Sequence, residues 1–248
     1  GMAASGKIPF VSTFAAFGSS RPYDQLRVLV SQPRLNVKVM VTHAGIITGE
    51  DGVSAQAIED VAIMSALAGF TVVVPSDAVE TVQAMRAAVR TDGPFYIRLS
   101  RAATAVIHDE GFTFTLGKAE TVRDGGDVTI IACGIMVYAA TQAADRLAAS
   151  GISCRVLNMA TVKPVDEEAV IKAALETGAL VTAEEHLVTG GLGSLVSQVL
   201  AQSHPTVMEM VGLKGYAESG KPEDLLEKYH LTSNDVETAV RAVLARKS

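Results

Sequence analysis

Apolar, β-branched runs alternate with amphipathic patterns along nearly the whole of this 248-residue chain, and that alternation restricts what it can fold into. Residues 8–13 (IPFVST), 37–42 (VKVMVT), 71–74 (TVVV) and 95–100 (FYIRLS) read as strands. Between them, residues 22–32 (PYDQLRVLVSQ), 57–69 (AIEDVAIMSALAG, ended by Gly69) and 78–90 (capped by Asp77) carry helical spacing. Strand runs this apolar have no face to offer water, so they belong to a parallel sheet covered on both sides. The period lapses from about Ala102 to Asp127, where Gly111, Gly117, Gly125 and Gly126 mark a connecting segment. It restarts with strands at 128–133, 153–158, 178–183 and 206–211. Helices are expected at 135–150, from Asp166, at 192–202, and from a Thr232 or Ser233 cap to about Arg246. The expectation is an α/β protein of two domains, each a mostly parallel sheet flanked by helices. Residues 1–103 form the first, 104–118 a linker, and 119–248 the second. An α/β domain normally opens with a strand and helix ahead of the strand at 8–13, so the first domain is expected to be N-terminally truncated.

Charge and hydropathy exclude some partners. The net charge is −6, with no basic stripe, which argues against nucleic acid. The most apolar run, Val61 to Val74, is too short to span a membrane, is interrupted by Ser65, Gly69 and Thr71, and meets Pro75. Residues 1–9 carry no charged-then-apolar leader pattern. Cys133 and Cys154 sit in apolar strand runs and read as reduced core thiols of a cytoplasmic protein.

Ligands of open parallel sheets bind beyond the carboxyl ends of strands. Three such ends carry chemistry: Thr13–Arg21, with Phe14 and Phe17; residues 42–52 (THAGIITGEDG), with His43, Glu50 and Asp51; and residues 99–104 (LSRAAT), with Arg101. Two phenylalanine rings suit a flat heterocycle, the arginine fork and the histidine suit a phosphate, and Asp51 suits sugar hydroxyls. Each also has a plainer reading. The phenylalanines fit a core beneath a loop, His43 a satisfied loop histidine, Glu50-Asp51-Gly52 an ordinary turn, and Arg101 a surface ion pair.

Taken in order, residues 12–27 (STFAAFGSSRPYDQLR), 42–62 (THAGIITGEDGVSAQAIEDVA), 75–80 (PSDAVE) and 92–101 (DGPFYIRLSR) resemble the pyrimidine-binding domain of transketolases. Residues 156–170 (VLNMATVKPVDEEAV), 182–196 (TAEEHLVTGGLGSLV) and 216–236 (YAESGKPEDLLEKYHLTSNDV) are similar to that family's C-terminal domain. The likeness covers essentially the whole chain, and is nearest to the C-terminal half of transketolases encoded as two subunits. It implies transfer of a two-carbon ketol unit from a ketose phosphate to an aldose phosphate, with thiamine diphosphate as the electron sink. It places Phe14 and Phe17 around the aminopyrimidine, with Ser20 where longer relatives often carry a third aromatic. His43 and Arg101 would hold the sugar phosphate, and Asp51 the donor hydroxyl nearest the reacting carbonyl. The Mg²⁺ or Ca²⁺ and diphosphate site belongs to the N-terminal half, an expected partner subunit. No metal ligand is assigned to this chain. The family's catalytic glutamate would precede residue 1, so the chain alone is expected to be inactive. A homodimer is also expected, through a face that includes Ala62, Ser65, Ala66 and Ala68.

Beside the missing glutamate segment, one residue departs from the pattern. Ala55, in the triplet Ser54-Ala55-Gln56, stands where many transketolases have a substrate-contacting histidine. Glu184-Glu185-His186 ahead of Gly190-Gly191-Leu192-Gly193 suggests an anion site, but a glycine-led helix start is common to any α/β unit, and His186 reads better as an interface or capping residue. The alternatives are a 1-deoxy-D-xylulose-5-phosphate synthase-like enzyme, less well a keto-acid dehydrogenase β-subunit, and a non-catalytic assembly subunit or fragment.

Overall fold

In a computed structural model, which describes residues 1–247, the apolar runs pair into two sheets. Strands β1 (Phe10–Val11), β2 (Lys38–Val41), β3 (Thr71–Val73) and β4 (Phe95–Arg98) lie parallel in the order β1-β2-β4-β3. The second sheet holds β5 (Glu120–Arg123), β6 (Val128–Ala132), β7 (Cys154–Asn158), β9 (Ala179–Leu187) and β10 (Val207–Leu213), in the order β10-β9-β6-β7-β5. Between β7 and β9 in sequence, β8 (Thr161–Lys163) leaves its own half of the chain and pairs antiparallel with β3 of the first sheet. Each sheet is therefore parallel with one antiparallel edge strand, β8 in the first and β5 in the second. This is the expected α/β architecture.

Local chemistry accounts for the helix starts. Asp77 accepts from Glu80 N–H at the start of α4 (Ala78–Arg90), and Asp166 from Ala169 N–H at α6 (Glu167–Thr177). Thr232 and Asp235 close a reciprocal capping box on α9 (Ser233–Ala245). Helices α5 (Met136–Ala149) and α7 (Leu192–Gln202) complete the second layer.

Several local expectations change. The stretch around Phe14 and Phe17 forms a short helix, α1 (Ala15–Ser19), rather than a loop. The helix at 22–32 starts as α2 (Tyr23–Gln25) and widens into a π turn (Leu26–Ser31), which leaves Val28 and Leu29 exposed. Only Phe10 and Val11 of the run at 8–13 are in a strand, and both are exposed, because β1 is an edge with a single neighbour. Residues 120–123, expected within the connector, pair with β7. Segment 46–51 is a 3-10 turn, and α3 runs from Asp60 to Ala66.

The two halves share their interior. One buried apolar cluster joins Val61, Met64, Phe70 and Val72 of the first half to Met159, Val162, Leu180, Leu192 and Val196 of the second. Ile46 and Ile58 lie in the core of the second half, with Ile130, Leu213 and Leu225. Burying each such side chain stabilises by about 1.5–3 kcal/mol. Helix α3 is held at both ends by the second half: Lys163 Nζ donates to Ser65 O and Leu67 O at 2.7 and 2.6 Å, and His186 Nε2 accepts Ala62 N–H at 3.3 Å. Ala62, expected on a face between copies, packs on Gly190 of its own chain, while Ala66 and Ala68 stay exposed. With a continuous core, the halves should unfold together. Scanning calorimetry is expected to show one endotherm with equal calorimetric and van't Hoff enthalpies. Two resolved endotherms would mean that the shared cluster does not couple them.

Candidate functional site

Thr13 and Phe14 run alongside Thr42, with Thr42 N–H donating to Thr13 O at 3.0 Å and Ala15 N–H to Thr42 O at 2.7 Å. This fixes the start of α1 beside the end of β2. Phe14 then stacks on His43 with ring centroids 3.7 Å apart and planes 12° from parallel. One helical turn later, Phe17 stacks on Phe14 at 5.6 Å, and the Arg21 guanidinium lies 4.3 Å above the Phe17 ring. The three rings are half-buried, neither sealed in the core nor free in solvent. Ser20 is exposed at the end of α1 and does not join the column.

His43 has a left-handed φ of 58°. Its Nδ1 meets Thr42 Oγ1 at 2.9 Å, and its carbonyl accepts the Thr48 hydroxyl at 2.7 Å. Thr48 also ties in the third strand end, since Arg101 Nη1 donates to Thr48 O at 3.1 Å and reaches Glu50 Oε2 at 3.2 Å. Asp51 is exposed at the end of the same turn. The structure thus joins His43 to the phenylalanines, and Arg101 to the loop that carries His43 and Asp51. Arg101 shows the ion pair of its plainer reading.

The turn is set from below by residues that sequence reasoning missed as part of the site. Glu185 Oε1 accepts Ile47 N–H at 2.8 Å. Gly45, with a φ of 77°, faces the carboxylate so closely that a Cβ there would sit 2.1 Å from it, and glycine alone fits. Arg98 Nη2 donates to Glu185 O and Ala57 O, both at 3.0 Å, and Arg98 Nε donates to Asp60 Oδ2 at 2.9 Å. Tyr96 O–H donates to the same Asp60 oxygen at 2.7 Å. One strand position earlier, Glu184 accepts Leu192 N–H at 2.7 Å and Gly193 N–H at 2.8 Å, capping α7. A Cβ on Gly191 would stand 2.0 Å from that carboxylate, which explains the glycine run. The anion at this helix start is the chain's own glutamate, and His186 is both a cap and an interface residue. The legible signal was a charged Glu-Glu-His triplet inside an apolar strand, and Arg98 at the end of another.

Burial raises both glutamates to about 7, against the opposing pull of Arg98 and of the backbone N–H donors. Burial also lowers the His186 pKa and keeps it neutral. A separate cluster, Glu80, His108 and Glu120, places potential metal-ligand atoms within 4.8 Å of one another. Both His108 nitrogens are taken, Nδ1 by Asp77 Oδ2 at 2.9 Å and Nε2 by Glu120 Oε2 at 2.7 Å. Burial disfavours the imidazolium, but Glu120, Glu80 and Asp77 outweigh it and hold the pKa at about 9. The cluster is a charged latch between the connector, α4 and β5. A cleft of about 400 Å³ between residues 102–105, α5 and α8 (Pro222–Lys228) includes Ile47 but none of Phe14, Phe17, His43 or Arg101. The half-buried ring column lies outside that cleft.

Because Glu184 and Glu185 bind protons more tightly folded than unfolded, their contribution to stability is full below about pH 4.5 and is lost as pH rises through about 7. Glu184→Gln should flatten the stability difference between pH 5.5 and 8 by on the order of 1–2 kcal/mol in urea unfolding. An unchanged pH slope would refute the assignment.

Family comparisons agree with this architecture. The family model of the transketolase pyrimidine-binding domain matches residues 1–106, and that of the transketolase C-terminal domain matches residues 117–236. The 6-deoxy-6-sulfo-D-fructose transketolase subunit of a Clostridium species is 44% identical over 100% of this chain and 77% of its own length. An apulose-4-phosphate transketolase subunit of Phocaeicola vulgatus is 39% identical over 86% of this chain and 68% of its own. A solved structure described as a split gene transketolase, inactive beta4 tetramer, superposes with a TM-score of 0.95 at 43% identity, covering 100% of this chain and 80% of that one.

Proposed function

The chain belongs to the transketolase family, and on that premise we propose that it is the C-terminal half of a two-subunit transketolase. It would act with an N-terminal subunit on a ketose phosphate donor and an aldose phosphate acceptor. The observation that carries the reading is the ring column His43–Phe14–Phe17–Arg21, tied through Thr48 to Arg101 at neighbouring strand ends.

The residues present fit the pyrimidine part of thiamine diphosphate: half-buried, near-parallel rings offer a flat apolar wall. When bound, that cofactor supplies the electron sink for breaking the carbon–carbon bond of the ketose. Phe14 and Phe17 would orient the heterocycle, with Arg21 covering the outer face of Phe17. His43 and Arg101 would donate to the sugar phosphate, Arg101 exchanging Glu50 for the phosphate. Asp51 would accept a donor hydroxyl. The diphosphate and its Mg²⁺ or Ca²⁺ are assigned to the N-terminal subunit by the family resemblance; in the Glu80–His108–Glu120 group both imidazole nitrogens are already paired with carboxylates. A homodimer of such pairs, in the cytoplasm, completes the reading.

The test is reconstitution. Xylulose 5-phosphate and ribose 5-phosphate, with thiamine diphosphate and Mg²⁺, should turn over only when a polypeptide carrying the N-terminal half is added. Turnover by this chain alone, or none with any such partner, would reject the reading. In the reconstituted enzyme, Phe14→Ala and Phe17→Ala should weaken cofactor binding several-fold, since aromatic packing adds about 0.5–1.5 kcal/mol beyond buried area. Titration with thiamine diphosphate reads this directly, and wild-type affinity in both variants would make the rings structural.

Arg101→Ala and His43→Ala should act selectively on phosphorylated sugars. A charge-assisted hydrogen bond contributes roughly 1.5–3 kcal/mol, or about 10- to 150-fold in kcat/KM. Equal losses on a phosphorylated and an unphosphorylated ketose would exclude the phosphate role.

A further inference from the structure

The turn at residues 46–51, which follows His43 and ends at Asp51, takes its main supports from the other half of the chain. Glu185 Oε1 accepts Ile47 N–H at 2.8 Å, at the open N-terminal end of that turn. Ile46 is wholly buried in the core of the second half. Ser219 Oγ donates to Glu50 O at 2.7 Å, and Gln56 Nε2 donates to Glu218 O at 3.0 Å. Glu185 itself is only 3% exposed. Arg98 grips its backbone oxygen, and Gly45 leaves space for its carboxylate and nothing larger. By contrast, the turn's outer contact, the Arg101–Glu50 pair, is exposed on both sides and offers little restraint.

We propose that Glu185 is a positioning residue by which the C-terminal domain holds the substrate loop of the pyrimidine-binding domain in the shape that presents His43 and Asp51. The inference rests on the function proposed above for those two residues. It gives the C-terminal domain a part in substrate binding, although none of its side chains joins the ring column. The physical basis is preorganisation. A turn with a free N-terminal end and two left-handed glycines, Gly45 and Gly49, samples other conformations unless an acceptor fixes its first N–H groups. The buried carboxylate supplies that acceptor where water cannot.

Hydrogen exchange on this chain and kinetics of the reconstituted enzyme test the proposal together. In Glu185→Ala, amides of residues 46–52 should exchange about tenfold faster or more, while those of α5 and α9 keep their protection. KM for the ketose phosphate should rise about tenfold, with kcat changed much less and cofactor affinity unchanged. Glu185→Gln retains an acceptor oxygen and should restore most of both. If the Glu185→Ala chain fails to fold, Gly45→Ala, which pushes the turn off the carboxylate from the opposite side, should produce the same KM effect. Unchanged exchange at 46–52 would overturn the proposal. So would a loss of protection spread evenly over both halves, or equal losses in the alanine and glutamine variants. A loosened loop in a chain whose wild type never reconstitutes activity would leave the anchor standing and reject the function instead.

Discussion

Three consecutive residues of one buried strand each finish a helix that begins elsewhere. Glu184 caps α7, Glu185 caps the turn at 46–51, and His186 caps α3. A helix start leaves N–H groups unpaired, and in a dry interior each costs about 1–3 kcal/mol if it stays so. β9 runs through the junction of the two halves, where water cannot serve those donors. Strand alternation divides the work: residues 184 and 186 point to one face, where α7 and α3 meet, and residue 185 to the other. Two acids and an imidazole are therefore tolerated inside an otherwise apolar strand because each meets donors that would be orphaned without it. Arg98 favours the ionised glutamates, and is itself paired with Asp60, the two side chains 6% and 0% exposed.

The same junction explains why the two sheets form one body. β8 crosses to complete the first sheet, Lys163 closes the far end of α3, and apolar side chains from both halves share one cluster. On the connector side, the His108 imidazolium spans Asp77 and Glu120 and fastens the connector to α4 and β5. A single polar node would be a poor tether, since paired buried charges return little net stability. Here the apolar cluster supplies the cohesion, and the polar groups fix how the surfaces meet.

That rigidity has a functional side. The aromatic column, the 46–51 turn and Arg101 stand at the ends of strands from the first sheet, but the first N–H groups of the turn are held by Glu185 of the second. A turn pinned to a packed core holds its donors and acceptors in place more closely than one free at the surface. The column remains half-exposed beside that turn.

Much of this was legible in the sequence because the relevant signals are local. The two α/β units followed from strand and helix periods, and the starts of α4, α6 and α9 from Asp77, Asp166 and a cap at Thr232 or Ser233, of which the structure uses Thr232, each acting over three or four residues. The aromatic spacing of Phe14 and Phe17 survives as a stack because one helical turn brings positions i and i+3 together. What the sequence could not determine is which distant groups meet. The Glu-Glu-His triplet looked like a common strand end because its partners lie more than a hundred residues upstream for Glu185 and His186. The crossing of β8, the sharing of the core and the anchoring of the 46–51 turn likewise depend on contacts between segments far apart in the chain. Periodicity carries no record of such contacts; only closing the tertiary structure, and having to pair every buried donor, decided them.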